Sequence, residues 1–304
     1  MMKEAQTKMR KEKGNSWETK FYKNDFSFGR EINLEQYNLA IENYLAQNIY
    51  SATHDFSHLT LGSWQKLLSA RALLEEISAS YQWLLQTNPS TREVEGRESQ
   101  FFLNSNLLYL IAATDGNEDT VGHSQLVAHY ALVLARQMGL TQPHFLLDLE
   151  RGALLHDIGK IAIPETILRK PGALTKTEKN IIKEHPLVGY ELIKNYEFLK
   201  KAADIVLYHH ERYDGQGYPY GLKGEEIPLA ARIFSVADTL DAITSDRPYR
   251  RGQSFLVACE EIEKEKGSQF DPQVVEAFFE IKEKTWLEIK YSLRKKQVYL
   301  STTH

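Results

Sequence analysis

Five histidines and three aspartates of this chain sit inside or at the ends of apolar segments that lie tens of residues apart. They are His123, His156, His185, His209 and His210, with Asp119, Asp157 and Asp238. His123 is in line with Val127, Tyr130 and Leu134, an apolar stripe at helical spacing, and Asp119, four residues earlier, shares its face. His156 and Asp157 close the run Ala153-Leu154-Leu155, and Lys160 returns to their face. His209 and His210 end Ile205-Val206-Leu207-Tyr208. Asp238 lies in Ile233-Phe234-Ser235-Val236-Ala237, with Asp241 one turn later. Leaving so many imidazoles and carboxylates buried without partners is very costly. Any fold of this chain must bring these helix ends together around something that compensates them.

Metal ions do so most economically. A mixed histidine and carboxylate set without thiolates suits iron, manganese or zinc. The wide separations exclude the short ligand loops of a zinc finger. There are more ligands than one ion can use, which points to two ions and leaves a third open. Two ions a few ångströms apart are the usual apparatus of phosphoester hydrolysis. His129 is six residues from His123 and misses its face. With His54, His58, His144 and His304 it is read as a non-ligand.

The rest of the chain predicts an all-α protein. Residues 1–16 are polar and lysine-rich, and read as a disordered tail. Residues 17–31 are aromatic-rich. Helical spacing predicts helices over 33–47, capped by Asn33, and over 63–86, capped by Ser63; the polar stretch 88–98 reads as a linker. From residue 99 onward helix follows helix, over 99–114, 119–138, 146–159, 177–195, 198–209, 228–244, 254–266 and 271–292, with Gly139 as a stop. The expected organisation is a helical module over 17–98, serving sensing or homodimerisation, a bundle over 99–292 and a tail over 293–304. A phosphorylatable receiver domain is not expected over 17–98, because its alternating strand and helix pattern is missing.

Composition removes other classes. A net charge of -4, with lysine and arginine dispersed, does not suit a long nucleic-acid groove. A single cysteine, Cys259, cannot form an internal disulfide and reads as a small buried hydrophobe. The longest apolar run, Leu107 to Ala113, is far short of the roughly 20 residues of a membrane helix. The charged N-terminus has no apolar stretch behind it, so a cytoplasmic protein is expected.

The same residues spell a longer pattern. His156-Asp157-Ile158-Gly159-Lys160, then Ile163-Pro164, resembles the signature of the HD phosphohydrolase superfamily. It is followed by His185-Pro186 with Gly189, and by His209-His210-Glu211-Arg212-Tyr213-Asp214-Gly215-Gln216-Gly217-Tyr218-Pro219. Ala237-Asp238-Thr239-Leu240-Asp241-Ala242 and Asp246-Arg247-Pro248-Tyr249-Arg250 complete the string. Together they resemble the HD-GYP subfamily over residues 100 to 285. The resemblance implies an HD-type helical bundle that hydrolyses cyclic di-GMP.

Carried over by position, the resemblance makes His123, His156, Asp157, His185, His209, His210 and Asp238 metal ligands, with Asp157 bridging two ions, iron or manganese. Asp119 stands where some members have a glutamate at a third ion, and aspartate is one methylene shorter. Lys160 is the expected cation on the phosphate, with Asp241 pairing with it. Arg247 and Tyr249 are expected near the nucleotide, and Tyr218 in the loop beside the site. That loop, Gly217-Tyr218-Pro219, is also the expected contact for a diguanylate cyclase (GGDEF) partner. The expected product is linear pGpG, with GMP after a second cut. Two alternatives stay open: a weakly catalytic effector that binds cyclic di-GMP, and a hydrolase of another cyclic dinucleotide.

Overall fold

The computed structural model describes residues 59–87, 97–115, 118–246 and 250–301. All of them fall within one compact unit, Ile49–His304. The helices are α1 (Leu61–Thr87), α2 (Arg97–Asp115), α3 (Glu118–Gln137), α4 (Pro143–Leu155), α5 (Glu165–Leu168), α6 (Lys176–Ile182) and α7 (His185–Ile193). They continue with α8 (Ala202–Tyr208), α9 (Leu229–Thr244), α10 (Phe255–Lys264), α11 (Pro272–Glu280) and α12 (Glu283–Ser301). A short 3-10 segment, Ile158–Ala162, follows α4. Among the described residues there are only isolated β-bridges, such as Asp214 with Lys223, so the all-α expectation holds. The expected tail, disordered in 1–16, and the helix over 33–47 lie outside the described residues.

α3 is the central helix. It packs against α4, α9, α11 and α12, while α4 packs against α8, and α7 against α8 and the 3-10 segment. The stripe read from the sequence is the reason: Val127, Tyr130 and Leu134 are all buried. Leu155, Ile205, Ile233, Phe234 and Val236 are buried as well. Gly139, at φ 77, ends α3 as expected: Leu140 N–H reaches back to the Ala135 carbonyl at 3.0 Å.

Several expectations need correction. Thr60, not Ser63, caps α1: its hydroxyl accepts the Ser63 N–H at 3.1 Å. α1 packs on α2, on the 3-10 segment and on α7. Lys66 on α1 also pairs with Glu165 at 2.9 Å, and Tyr81 meets Phe198. Helix 271–292 is two helices that part at Ile281, which turns extended, and the second runs on to Ser301. Cys259 is part-exposed, not buried.

A further correction positions the site. The helix expected over 177–195 breaks at Lys183-Glu184 into α6 and α7. Thr175 and Glu178 start α6 with a reciprocal capping box. Pro186 then ends the run, because proline has no N–H for the carbonyl four residues back and its ring clashes there. The carbonyl so released, that of Ile182, takes the Nδ1–H of His185 at 2.7 Å instead. In the same way α4 stops at Leu155, short of the expected 159, and Asp157 sits near φ -98, ψ 6. That is the sparsely populated bridge region, where many active-site residues sit.

Candidate metal centre

Three glycines let these helix ends converge. A Cβ on Gly159 would lie 2.0 Å from the His185 carbonyl oxygen and 2.6 Å from the Gly189 nitrogen. Without side chains there, the start of α7 lies directly on the segment after Asp157. A Cβ on Gly217 would lie 2.6 Å from the His210 oxygen, so the loop 212–222 lies across the backbone of His210 and Glu211.

Two groups of ligand atoms result: His123, His156 and Asp157, and His185, His209 and His210, each group within 4.8 Å. Asp157 joins them. Its Oδ2 is 3.1 Å from His156 Nε2, and its Oδ1 is 3.3 Å from His185 Nε2 and 3.9 Å from His209 Nε2. Asp238 Oδ1 is 3.4 Å from His123 Nε2.

Outer partners fix the imidazoles. The Nδ1–H groups of His156, His185 and His209 donate to the carbonyls of Ala153, Ile182 and Val206 at 2.9, 2.7 and 2.8 Å. Each ring therefore turns a lone pair inward on Nε2. His185 and His209 then oppose two such lone pairs at 3.1 Å. Bare, that arrangement is repulsive; a cation relieves it. A proton is a poor substitute, since burial and the neighbouring imidazoles push His209 well below its ordinary pKa. The same forces bring His210 down to about 3. Burial would lower His156 too, but Asp157 outweighs it and raises the pKa. Asp157 is itself held well below the usual carboxylate range: His156 and Lys160 overcome the effect of burial. The donor set thus fits divalent ions.

The other expected residues fall as follows. Lys160 Nζ donates to Asp157 Oδ2 at 2.6 Å. Asp241, expected on Lys160, is bonded to His123: Nδ1–H donates to its Oδ2 at 2.6 Å, and the Ser245 hydroxyl donates to its other oxygen. The reason is helical geometry, since Asp238 and Asp241 share one face of α9 and that face lies along α3. Asp241 thereby supports a candidate ligand from behind. We expect Asp241→Ala to weaken metal binding about 10–100-fold with helix content unchanged; titration against a chelator, with circular dichroism, checks this. Tyr218 stacks on His210, centroids 4.7 Å apart, with Lys183 Nζ 5.0 Å above its ring. Arg247 and Tyr249, and the side chain of Asp119, lie outside the described residues. His129 bonds to the Gln125 carbonyl and His144 is exposed; both stand apart from the two groups.

One important residue was not singled out from the sequence. Glu211 is 4% exposed, and its carboxylate accepts the N–H groups of Tyr220, Gly221 and Leu222 at 2.7, 3.1 and 3.1 Å. It holds the loop that puts Tyr218 on His210. The available signal was an acid directly after His209-His210 with a glycine-rich loop behind it.

A bundle of helix ends converging on His-Asp residues that suit metal ions defines a metallohydrolase-like helical protein. The HD domain family model matches residues 108–274, and the chain belongs to that family; the Gly217-Tyr218-Pro219 string marks its HD-GYP branch. Among curated relatives, it is 44% identical over 190 residues to the cyclic di-GMP phosphodiesterase response regulator RpfG of Xanthomonas campestris, covering 62% of this chain and 49% of that protein. It is 35% identical over 255 residues to a cyclic di-GMP phosphodiesterase of Thermotoga maritima, covering 83% and 64%. It is 36% identical over 190 residues to the 3'3'-cGAMP-specific phosphodiesterase 2 of Vibrio cholerae, covering 62% and 36%. The chain thus spans from about a third to just under two thirds of these relatives. Among the described residues no helix is long and apolar enough to cross a membrane.

Proposed function

We propose that this chain is a metal-dependent phosphodiesterase that opens cyclic di-GMP to linear pGpG, with GMP as the product of a second cut. The observation that carries the reading is the shared carboxylate of Asp157 between two imidazole groups whose lone pairs face one another. His123, His156, Asp157 and Asp238 would hold one ion, and Asp157, His185, His209 and His210 the other. Iron or manganese is the proposed metal, and Asp119 the residue for a third ion. Bound ions would acidify water and neutralise charge building on the phosphoryl oxygens.

The chain's own groups supply the rest. The Lys160 ammonium, 38% exposed at the lip of the centre, can turn from Asp157 to a phosphate oxygen. Tyr218 presents a ring at the edge of the second group, and Arg247 with Tyr249 would meet the nucleotide. Asp241 would keep His123 in one tautomer. The reading also carries a cytoplasmic location, a homodimer and a GGDEF partner at the Gly217-Tyr218-Pro219 loop.

Chromatography of cyclic di-GMP incubated with manganese- or iron-loaded protein tests the reading; unchanged substrate would leave only a binding protein. The likeness to a 3'3'-cGAMP-specific enzyme supports a second reading, in which that hybrid dinucleotide is preferred. Competition between the two substrates in one tube separates them. Lys160→Ala should keep its metal yet lose at least about tenfold in turnover, equivalent to about 1.4 kcal/mol in the barrier. Metal analysis beside the rate assay checks it, and metal loss would make Lys160 structural.

A further inference from the structure

We propose that Lys290, on the C-terminal helix α12, is a positioning residue for the metal centre, acting through the last turn of α9 and Asp241 on His123. The proposal rests on the reading of His123 as a metal ligand. α12 begins at Glu283, beyond the residues 108–274 that match the HD domain.

Lys290 is only 9% exposed, and its ammonium donates to the Thr244 carbonyl at 2.7 Å and the Thr244 hydroxyl at 3.1 Å. Thr244 is the last residue of α9. The carbonyl end of a helix carries partial negative charge and unpaired acceptors, and a lysine there satisfies both. Burying an ammonium is expensive, and a methionine would fill the same space without that cost. The lysine therefore serves position more than packing.

Packing alone does not hold this junction. A cavity of about 300 Å³ lies between the two sides, with Asp246, Gln253 and Phe255 on one and Trp286 and Tyr291 on the other. Lys290 reaches across at its margin. On the far side of Thr244 the chain of contacts is continuous. Ser245 N–H donates to the Asp241 carbonyl at 2.9 Å, and the Ser245 hydroxyl donates to one oxygen of the Asp241 carboxylate. The other oxygen takes the His123 Nδ1–H at 2.6 Å. A last turn free to fray would release Ser245, and with it the carboxylate that fixes the tautomer of His123. The same helix end is met by other groups: Gln253 N–H donates to the Ile243 carbonyl at 2.8 Å, and Arg250 to the Ala242 carbonyl. Those bonds go to Ile243 and Ala242, and Gly252 between them lies so close to the Thr244 carbonyl oxygen that a Cβ there would be 2.2 Å from it; the ammonium on Thr244 comes from Lys290.

The test uses the full chain, loaded with manganese alone. Lys290→Met should weaken manganese binding about tenfold, the low end for loss of an outer partner. Amide exchange should quicken over residues 241–246 and stay unchanged in α7 and α8. Lys290→Arg should restore most of both. Ser245→Ala should weaken binding by itself, and Lys290→Met should then add little, because coupled residues are not additive. Manganese binding within twofold of the parent in Lys290→Met, or exchange that quickens evenly across the fold, overturns the proposal. If Lys290→Met does not fold, Lys290→Gln is judged by the same two measurements. Failure of the parent chain to bind manganese would instead overturn the metal-centre reading, which separates the two.

Discussion

Asp157→Ala should abolish hydrolysis, by about a thousandfold or more, and strip most of the metal, while helix content stays at the parent level. A thousandfold corresponds to about 4 kcal/mol in the barrier. The size follows from position. Asp157 lies within reach of both imidazole groups, with one oxygen 3.1 Å from His156 and the other 3.3 Å from His185. It is also the counter-charge for Lys160. Removing it leaves facing lone pairs on His185 and His209 with no anion beside them, so divalent ions lose charge compensation at both places at once. The fold should survive, because the side-chain bonds shown for Asp157 run to His156, His185 and Lys160 of the site itself. Metal analysis and chromatography on one preparation check both halves. Near-parent turnover together with near-parent metal content would sink the shared-carboxylate account.

The second large effect comes from a single methyl group. Gly159→Ala should cost about 3 kcal/mol of stability, at the top of the usual overpacking range, and lower Tm by about 6–12 °C for a domain of this size. The added Cβ would fall 2.0 Å from the His185 carbonyl oxygen and 2.6 Å from the Gly189 nitrogen. These are backbone atoms, so nothing can rotate aside; α7 must move, and it carries His185. Turnover should therefore fall even at temperatures where the variant remains folded. Gly189→Ala is the natural comparison. Its nearest neighbour would be Val206 Cγ1 at 2.7 Å and its nearest backbone atom the Gly159 nitrogen at 3.1 Å, a milder overlap than 2.0 Å, so its thermal shift should be smaller. Calorimetry on both variants, with equal shifts as the disconfirming result, decides the point.

Much of this was legible in the sequence, for identifiable reasons. Helical periodicity marks a buried face, so the placing of His123 with Val127, Tyr130 and Leu134 needed nothing else. The ends of apolar runs likewise marked His156, His209 and His210. What periodicity cannot see is partner choice across distance. Asp241 lies one turn from Asp238, and nothing in that spacing says that its bond is to His123, 118 residues away. Nor does it say that helix 61–87 belongs with the bundle, which depends on contacts such as Tyr81 with Phe198. The break before His185 was readable from Pro186 but was overridden by continuous apolar spacing around it. Glu211 was hidden because its role is to accept three backbone N–H groups, and backbone donors leave no mark in a sequence.

The Nδ1 bonds of His156, His185 and His209 each span only three residues. This gives the centre an order of assembly. Contacts of such short range form as soon as a helix end forms, on the timescale of helix growth and not of chain collapse. Three ligands are thus aimed before they meet. His123, whose aim depends on Asp241 118 residues away, waits for α3 and α9 to come together. The second imidazole group, drawn from residues 185 to 210, is accordingly the part that a folding chain completes first, and the His123 side is the part that registers whether the whole domain has come together.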